Sequence, residues 1–166
     1  RHHDEIDSMT LREFFAADWS PAPGDAGRLV EPGHQFEWAW LLSRWGLATG
    51  DARCAPAAER LYAAGLRGID PARGVAINAL NDDFTPRDPA ARLWPQTEWL
   101  KAAGILRKDP LSAATALAAY LAPAAWWDLM APDGTFRREP APASSFYHIL
   151  GAYRDIAAAR NLEQSF

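Results

Sequence analysis

Cysteine is almost missing from this chain. Cys54 stands alone among 166 residues, so no intrachain disulfide and no CxxC metal or redox motif can form. A single thiol fits a reducing compartment, and the expectation is a cytoplasmic protein. Basic runs are missing too. None is longer than Arg137-Arg138, which removes the electrostatic footprint of a nucleic-acid binder. No apolar run suits a membrane span. The longest, around Ala113 to Met130, is alanine-rich, is interrupted by Pro123 and reads as a buried helix. No signal-peptide pattern opens the sequence, which begins RHHDEID without a Met, so a processed piece or part of something longer is expected. His2 and His3 read as flexible terminal residues. Several chemistries drop out as well: there is no GxSxG, no glycine-rich phosphate loop, no HExxH and no cysteine nucleophile pattern. Asp82-Asp83 is no metal cage, because adjacent side chains converge poorly on one ion.

What is present is ordinary in bulk and unusual in one residue type. The length suits one domain, taken as residues 1–166, with a real core. Hydrophobic residues make up 49% and charged residues 23%, a globular composition. A net charge of −4 and a pI near 5.5 say little beyond solubility. Eight tryptophans are the outlier. Excess indole in a helical protein serves either a large core or a wall for a flat ligand such as a sugar ring.

Periodicity gives an all-α chain with minor β. LREFFAADW (11–19) reads as extended and is followed by a Pro- and Gly-rich loop. Helices are expected from His34 to about Leu47, from Cys54 to Leu66 and from Ala91 to Leu106. A fourth starts at Asp109-Pro110 and ends near Met130, and a fifth runs from Phe146 to about Arg160. A short hairpin falls between Gly74 and Asp82, and APDGTF makes a turn into a short strand. Helix pairs alternate with hairpin loops, a repeat that is architectural rather than sequence-exact. Long loops gathered at one end would make a cup.

Three constellations carry chemistry. His34 opens a helix, where free N–H groups and the dipole lower the pKa of an imidazole and make it a competent base. Glu37, one turn on, is placed to hold one of its ring nitrogens, or else to cap the helix. His148 sits in the first turn of another helix, either as a matching imidazole across the cup or as an ordinary surface residue. In ARLWPQTEWLKA, Arg92 and Gln96 share one helix face and Trp94 and Glu98 another. A polar fork beside an indole suits a polyhydroxylated ligand, while the plainer reading is a salt-bridged helix with Trp94 and Trp99 in the core. A metal held by His34, Glu37 and His148 is the lesser alternative.

These residues also carry a resemblance. PGHQFEWAWLL (32–42) resembles the PGHxxExxWLL motif of the N-acylglucosamine 2-epimerase family, which includes mannose isomerases, sulfoquinovose isomerases and cellobiose 2-epimerases. RLWPQTEWLKA looks like the family's R-x-W-x-Q-x-E helix, and SSFYHILGAY looks like its C-terminal histidine motif. REFFAADW resembles the short strand before the first of these. The resemblance implies an (α/α)6 barrel, or toroid, with short β-hairpins in its connecting loops. Five helices here are fewer than half the family's set, so the C-terminal portion is expected.

By the same resemblance, His34 and His148 are an acid–base pair acting through a cis-enediol, and Glu37 orients His34 or assists ring opening. Arg92, Gln96 and Glu98 then bind substrate, and Trp94 and Trp38 wall the pocket. Trp40 matches the motif but by spacing packs in the core. No metal and no cofactor are implied. The leading expectation is a sugar isomerase of the mannose–fructose type. The alternatives are a 2-epimerase of N-acylglucosamine or a related sugar, and a non-catalytic carbohydrate-binding or scaffold remnant. Leu93 stands where cellobiose-type epimerases carry a second tryptophan, which leans toward the isomerases. The implied partners are a small sugar, no nucleic acid and no membrane. The rest of a barrel, or a second copy of the chain, completes that set.

Overall fold

Residues 10–123 and 125–163 are described by the computed structural model; His2 and His3 lie outside them. Five α-helices carry the architecture: α1 (Pro32–Thr49), α2 (Cys54–Leu66), α3 (Leu93–Ile105), α4 (Leu111–Ala118) and α5 (Ala143–Glu163). Pro32 occupies the first turn of α1, where its missing N–H costs nothing. Gly50 ends that helix in the left-handed region at φ 75°. Pro95 is likewise tolerated in the first turn of α3.

The fourth helix is shorter than expected. It stops at Ala118, and the apolar run continues as a hairpin of β7 (Leu121–Ala122) and β8 (Ala125–Trp126). Pro123 lies in the connecting turn and cannot extend a helix. Tyr120, fully buried, anchors the break by donating its hydroxyl to the Ala91 carbonyl at 2.9 Å. The single hairpin expected between Gly74 and Asp82 proves to be parts of two antiparallel pairings. β2 (Ile69–Asp70) pairs with β3 (Val75–Ala76), and β4 (Ala79–Asn81) lies between β1 (Leu29–Val30) and β5 (Pro86–Asp88). The turn-and-strand expected at APDGTF matches the bridge between Met130 and Phe136, beside the pairing of β6 (Ala91–Arg92) with β9 (Leu129–Met130).

Helix packing follows the chain in a regular way. α1 packs on α2 and α3, and α3 packs on α4 and α5. Alternate helices α1, α3 and α5 thus form one layer, with α2 and α4 laid against it, as in part of an α/α toroid. Phe36 sits at the centre of the core, stacked on Trp99 at 5.9 Å and edge-on to Tyr62 at 5.5 Å. Burying that one ring is worth about 1.5–3 kcal/mol. Its place depends on Gly65 of α2, where an added Cβ would lie 2.7 Å from the ring. Among the described residues no helix is long and apolar enough to cross a membrane.

A local repeat becomes visible at this level. Gln35-Phe36-Glu37-Trp38 and Gln96-Thr97-Glu98-Trp99 share a Q-x-E-W pattern, with each glutamine fourth in its helix. Both glutamines are fully buried, and both clip an extended segment by its backbone. Gln35 accepts from Leu11 N–H at 2.8 Å and donates to the Leu11 carbonyl at 2.7 Å. Gln96 does the same to Ala76 at 2.8 and 2.9 Å and also donates to the Arg92 carbonyl.

Candidate active site

The clip at Leu11 explains how His34 is held. By fixing Leu11 beside α1, Gln35 delivers Glu13, two residues on, to the mouth of the helix. One Glu13 oxygen accepts the Glu31 backbone N–H at 3.2 Å, and the other accepts from His34 Nδ1 at 2.8 Å. Glu13 therefore caps the approach to α1 and fixes the imidazole at once. The Glu31 carboxylate lies 3.4 Å from the same nitrogen. Helix-start free N–H groups are expected to lower the His34 pKa, but it is raised. The Glu13 hydrogen bond outweighs the opposing burial, and the charges of Glu13, Glu31 and Glu37 add to it. Glu31 is itself raised, first by burial and then by the charge of Glu13.

Glu37 does not orient His34. It makes no hydrogen bond among the described residues and acts on the imidazole only through its charge. Helical side chains lean toward the N-terminus, which turns the His34 ring to the segment before the helix and away from the following turn.

His148 has a partner of a different kind. Its Nδ1 lies 2.8 Å from Glu98 Oε1, and Glu98 is fully buried. Lys101, one turn along α3 and only 7% exposed, hydrogen-bonds the same oxygen at 2.8 Å. It is also ion-paired to Oε2 at 2.6 Å. Glu98, expected to bind substrate, instead lies beneath the imidazole with its charge already matched.

Trp94 joins the two halves. Its indole centroid is 5.0 Å from the His34 ring and 5.6 Å from the His148 ring, both tilted to it, so one indole contacts both imidazoles. Room for that indole comes from Gly33, where an added Cβ would lie 2.4 Å from Trp94 Cη2. The Pro32-Gly33 entry to α1 thus makes room for the tryptophan as well as delivering the histidine. Tyr147 stands edge-on to His148 at 5.3 Å on the open side.

The other expected ligand-binding residues divide. Arg92 is exposed, its guanidinium makes no hydrogen bond or ion pair among the described residues, and its charge reaches Glu31. It stays available to a ligand. Gln96 does not, because its side chain is buried and spent on backbone. Trp38 is 45% exposed and lines a groove between α1 and α2 with Leu42, Ala57 and Leu61, apart from the imidazole cluster. Trp40 is half-buried against the core, donates to Asp155 Oδ2 at 2.5 Å and receives the Lys101 ammonium 4.1 Å from its ring.

The metal set His34–Glu37–His148 does not assemble: its ligand atoms do not converge among the described residues. Glu13, Glu31 and His34 form the group among the described residues whose ligand atoms converge, all within 4.8 Å of one another. Sequence reasoning missed Glu13, Glu31 and Lys101. Glu13 is 21 positions from its partner, and no spacing rule connects an extended segment to a helix start across a loop. Lys101, three residues after Glu98, was open to an i,i+3 reading.

Comparison with known proteins gives one consistent result. The sequence model of the N-acylglucosamine 2-epimerase (GlcNAc 2-epimerase) family matches residues 1–152. A protein of Rhizobium meliloti (strain 1021) named mannose-6-phosphate isomerase is 48% identical over 168 aligned positions, 92% of this chain and 43% of that protein. A solved D-mannose isomerase superposes with a TM-score of 0.77 at 21% identity, over 95% of this chain and 47% of the other. The cellobiose 2-epimerase of Spirochaeta thermophila DSM 6192 gives 0.69 at 21% identity, over 92% and 43%. The architecture is that of part of an (α/α)6 barrel, and the chain spans about half the length of the proteins it matches.

Proposed function

The chain belongs to the N-acylglucosamine 2-epimerase family, and from that membership and the geometry of its two histidines we propose that it carries the acid–base half-site of a sugar isomerase. The observation that supports this is a symmetry of roles. Each imidazole has its Nδ1 tied to its own carboxylate, Glu13 or Glu98, and each Nε2 is free of hydrogen bonds among the described residues. A tautomer fixed in this way leaves one nitrogen per ring to exchange a proton with a ligand.

In the proposed reaction, an open-chain aldose lies along the Trp94 face with C1 and C2 between the imidazoles. His148 Nε2 takes the C2 proton, and His34, whose raised pKa favours the protonated form, gives its proton to O1. The cis-enediol then loses its O2 proton to His34 and gains a proton at C1 from His148. Ketose is the product, and both histidines are restored. Return of the proton to the opposite face of C2 would give the epimer instead. Arg92 binds hydroxyls at the rim, and Glu37, charged and without a hydrogen-bonded partner, assists ring opening. No metal or cofactor takes part in this scheme.

The family's isomerase members and the name of the 48% identical relative favour mannose, free or phosphorylated, as the first substrate to try. We place the chain as a single domain, the C-terminal part of the barrel, in a cytoplasmic protein. Exposed apolar residues on α1 (Trp38, Leu41, Trp45) and α5 (Phe146, Leu150, Tyr153) support a partner: further barrel helices or a second copy of the chain. The test is incubation of the protein with mannose and mannose 6-phosphate in D2O, followed by NMR. Fructose carrying deuterium at C1 supports isomerisation, and glucose labelled at C2 supports epimerisation. Binding without exchange would favour the non-catalytic reading and overturn both enzymatic ones.

A further inference from the structure

We propose that Lys101 is a positioning residue for His148, acting through Glu98 to set which imidazole nitrogen carries the proton. This rests on the reading of His148 as an acid–base group. Three observations lead to it. Glu98 is fully buried, and Lys101 is nearly so, yet the ammonium touches both carboxylate oxygens, at 2.8 and 2.6 Å. The oxygen that Lys101 hydrogen-bonds is the one that lies 2.8 Å from His148 Nδ1. The ammonium is boxed in by further matched groups: Trp40's ring lies at 4.1 Å, and its indole N–H is bonded to Asp155, which Arg44 approaches at 3.7 Å. Gly151 of α5 comes close to the ammonium, since an added Cβ there would be 4.0 Å from Nζ, an ordinary contact.

The chemistry follows from the low dielectric of the site. A carboxylate is acceptor-only, so an ionised Glu98 obliges His148 to hold its proton on Nδ1 and leaves Nε2 as a lone pair. Ionisation of a fully buried carboxylate needs a compensating cation, and beside the titratable His148 itself Lys101 is the cation that touches it among the described residues. A carboxyl without that cation favours its protonated form, and a protonated carboxyl keeps its hydrogen and donates a hydrogen bond to a bare Nδ1. The imidazole then carries its proton on Nε2 and cannot accept one from a ligand. Lys101 thus keeps His148 in the tautomer that works as a base, although it touches no substrate. The other groups facing the pair are Tyr147 on α5 and the neutral Trp94, and neither supplies a charge.

The test reads the tautomer directly. Imidazole 15N shifts of His148 are measured in the wild type, Lys101→Met, Lys101→Arg and Glu98→Gln. The wild type should show Nδ1–H, and Lys101→Met should show Nε2–H. Turnover in Lys101→Met should fall roughly 10²-fold, the lower range for a lost general base, with KM little changed. Lys101→Arg keeps the charge and should keep Nδ1–H. Retention of Nδ1–H in Lys101→Met overturns the assignment, and so does a flip in Lys101→Arg. If Lys101→Met does not fold, the arginine variant still decides: loss of Nδ1–H there refutes the proposal. The shifts need no sugar. A wild-type protein with His148 on Nδ1–H that turns over no aldose would sink the isomerase reading and leave the role of Lys101 intact.

Discussion

Replacing Gly33 by Ala is the sharpest probe of how the site is built, because its effect should reverse with the identity of residue 94. The added Cβ would lie 2.4, 2.5 and 3.0 Å from three carbons of the Trp94 benzene ring. Ordinary carbon contacts need about 3.5–4.0 Å, so the indole must withdraw by about 1 Å. It is in contact with both imidazoles, His34 at 5.0 Å and His148 at 5.6 Å between centroids. Overpacking of this kind costs about 1–3 kcal/mol. For a chain of this size that lowers Tm by about 2–4 °C per kcal/mol. Shifts of about 1 Å in a reacting array cost on the order of 10² in rate, so turnover should suffer more visibly than folding. In a Trp94→Val background the clash is gone, and Gly→Ala in a helix stabilises by up to ~1 kcal/mol. Thermal unfolding of the four proteins of the cycle should therefore show Gly33→Ala destabilising beside Trp94 and neutral or stabilising beside Val. Equal effects in both backgrounds, within about 0.5 kcal/mol, would refute the idea that Gly33 exists to seat the indole.

Glu13→Gln should lower the His34 pKa toward its ordinary value near 6.5, read from the imidazole C2–H resonance against pH. The sign for stability follows: a raised folded pKa gives stabilisation that is complete below 6.5 and lost as pH rises through the folded pKa. That pH dependence should flatten in the variant, and an unchanged titration would remove Glu13 from its role. Gln96→Leu should cost about 1–3 kcal/mol for each buried backbone group left unpaired at Ala76, with KM unaffected in the folded fraction. A raised KM at unchanged stability would return Gln96 to the ligand. Gln35→Leu should carry a similar penalty and also move the His34 titration, because it releases Leu11 and with it Glu13. Arg92→Ala should do the reverse of Gln96→Leu, raising KM while stability stays within about 0.5 kcal/mol.

Much of the architecture was legible because it rests on local signals. Periodicity and the Pro32, Gly50 and Pro95 punctuation placed α1, α2, α3 and α5 to within a few residues. The boundary that failed, at α4, lies in alanine-rich sequence, where helix propensity is high on both sides of the true stop. Only the tertiary anchoring of Tyr120 and the Pro123 turn decide it. The histidines were legible as a pair, but their partners were not. Glu37 is three residues from His34 and was the natural choice; Glu13, 21 residues away, wins because Gln35 holds its segment in place.

The Q-x-E-W pair shows where a closer reading would have gained. A ligand is bound once, so a ligand-contacting glutamine has no reason to recur at the same position of two neighbouring helices. A backbone clip does recur, because every inner helix of a toroid must seal the extended segment that runs past its first turn. Duplication at Gln35 and Gln96 therefore argues for a structural role at both, and the bonds to Leu11 and Ala76 agree with it. The glutamates of the same repeat diverge. Glu98 is buried and matched by Lys101, whereas the residue at the corresponding place after Glu37 is Trp40, which supplies no charge. Glu98, with a buried cation three residues on, lies behind an imidazole. Glu37, without that cation, is half-buried and free of hydrogen bonds among the described residues.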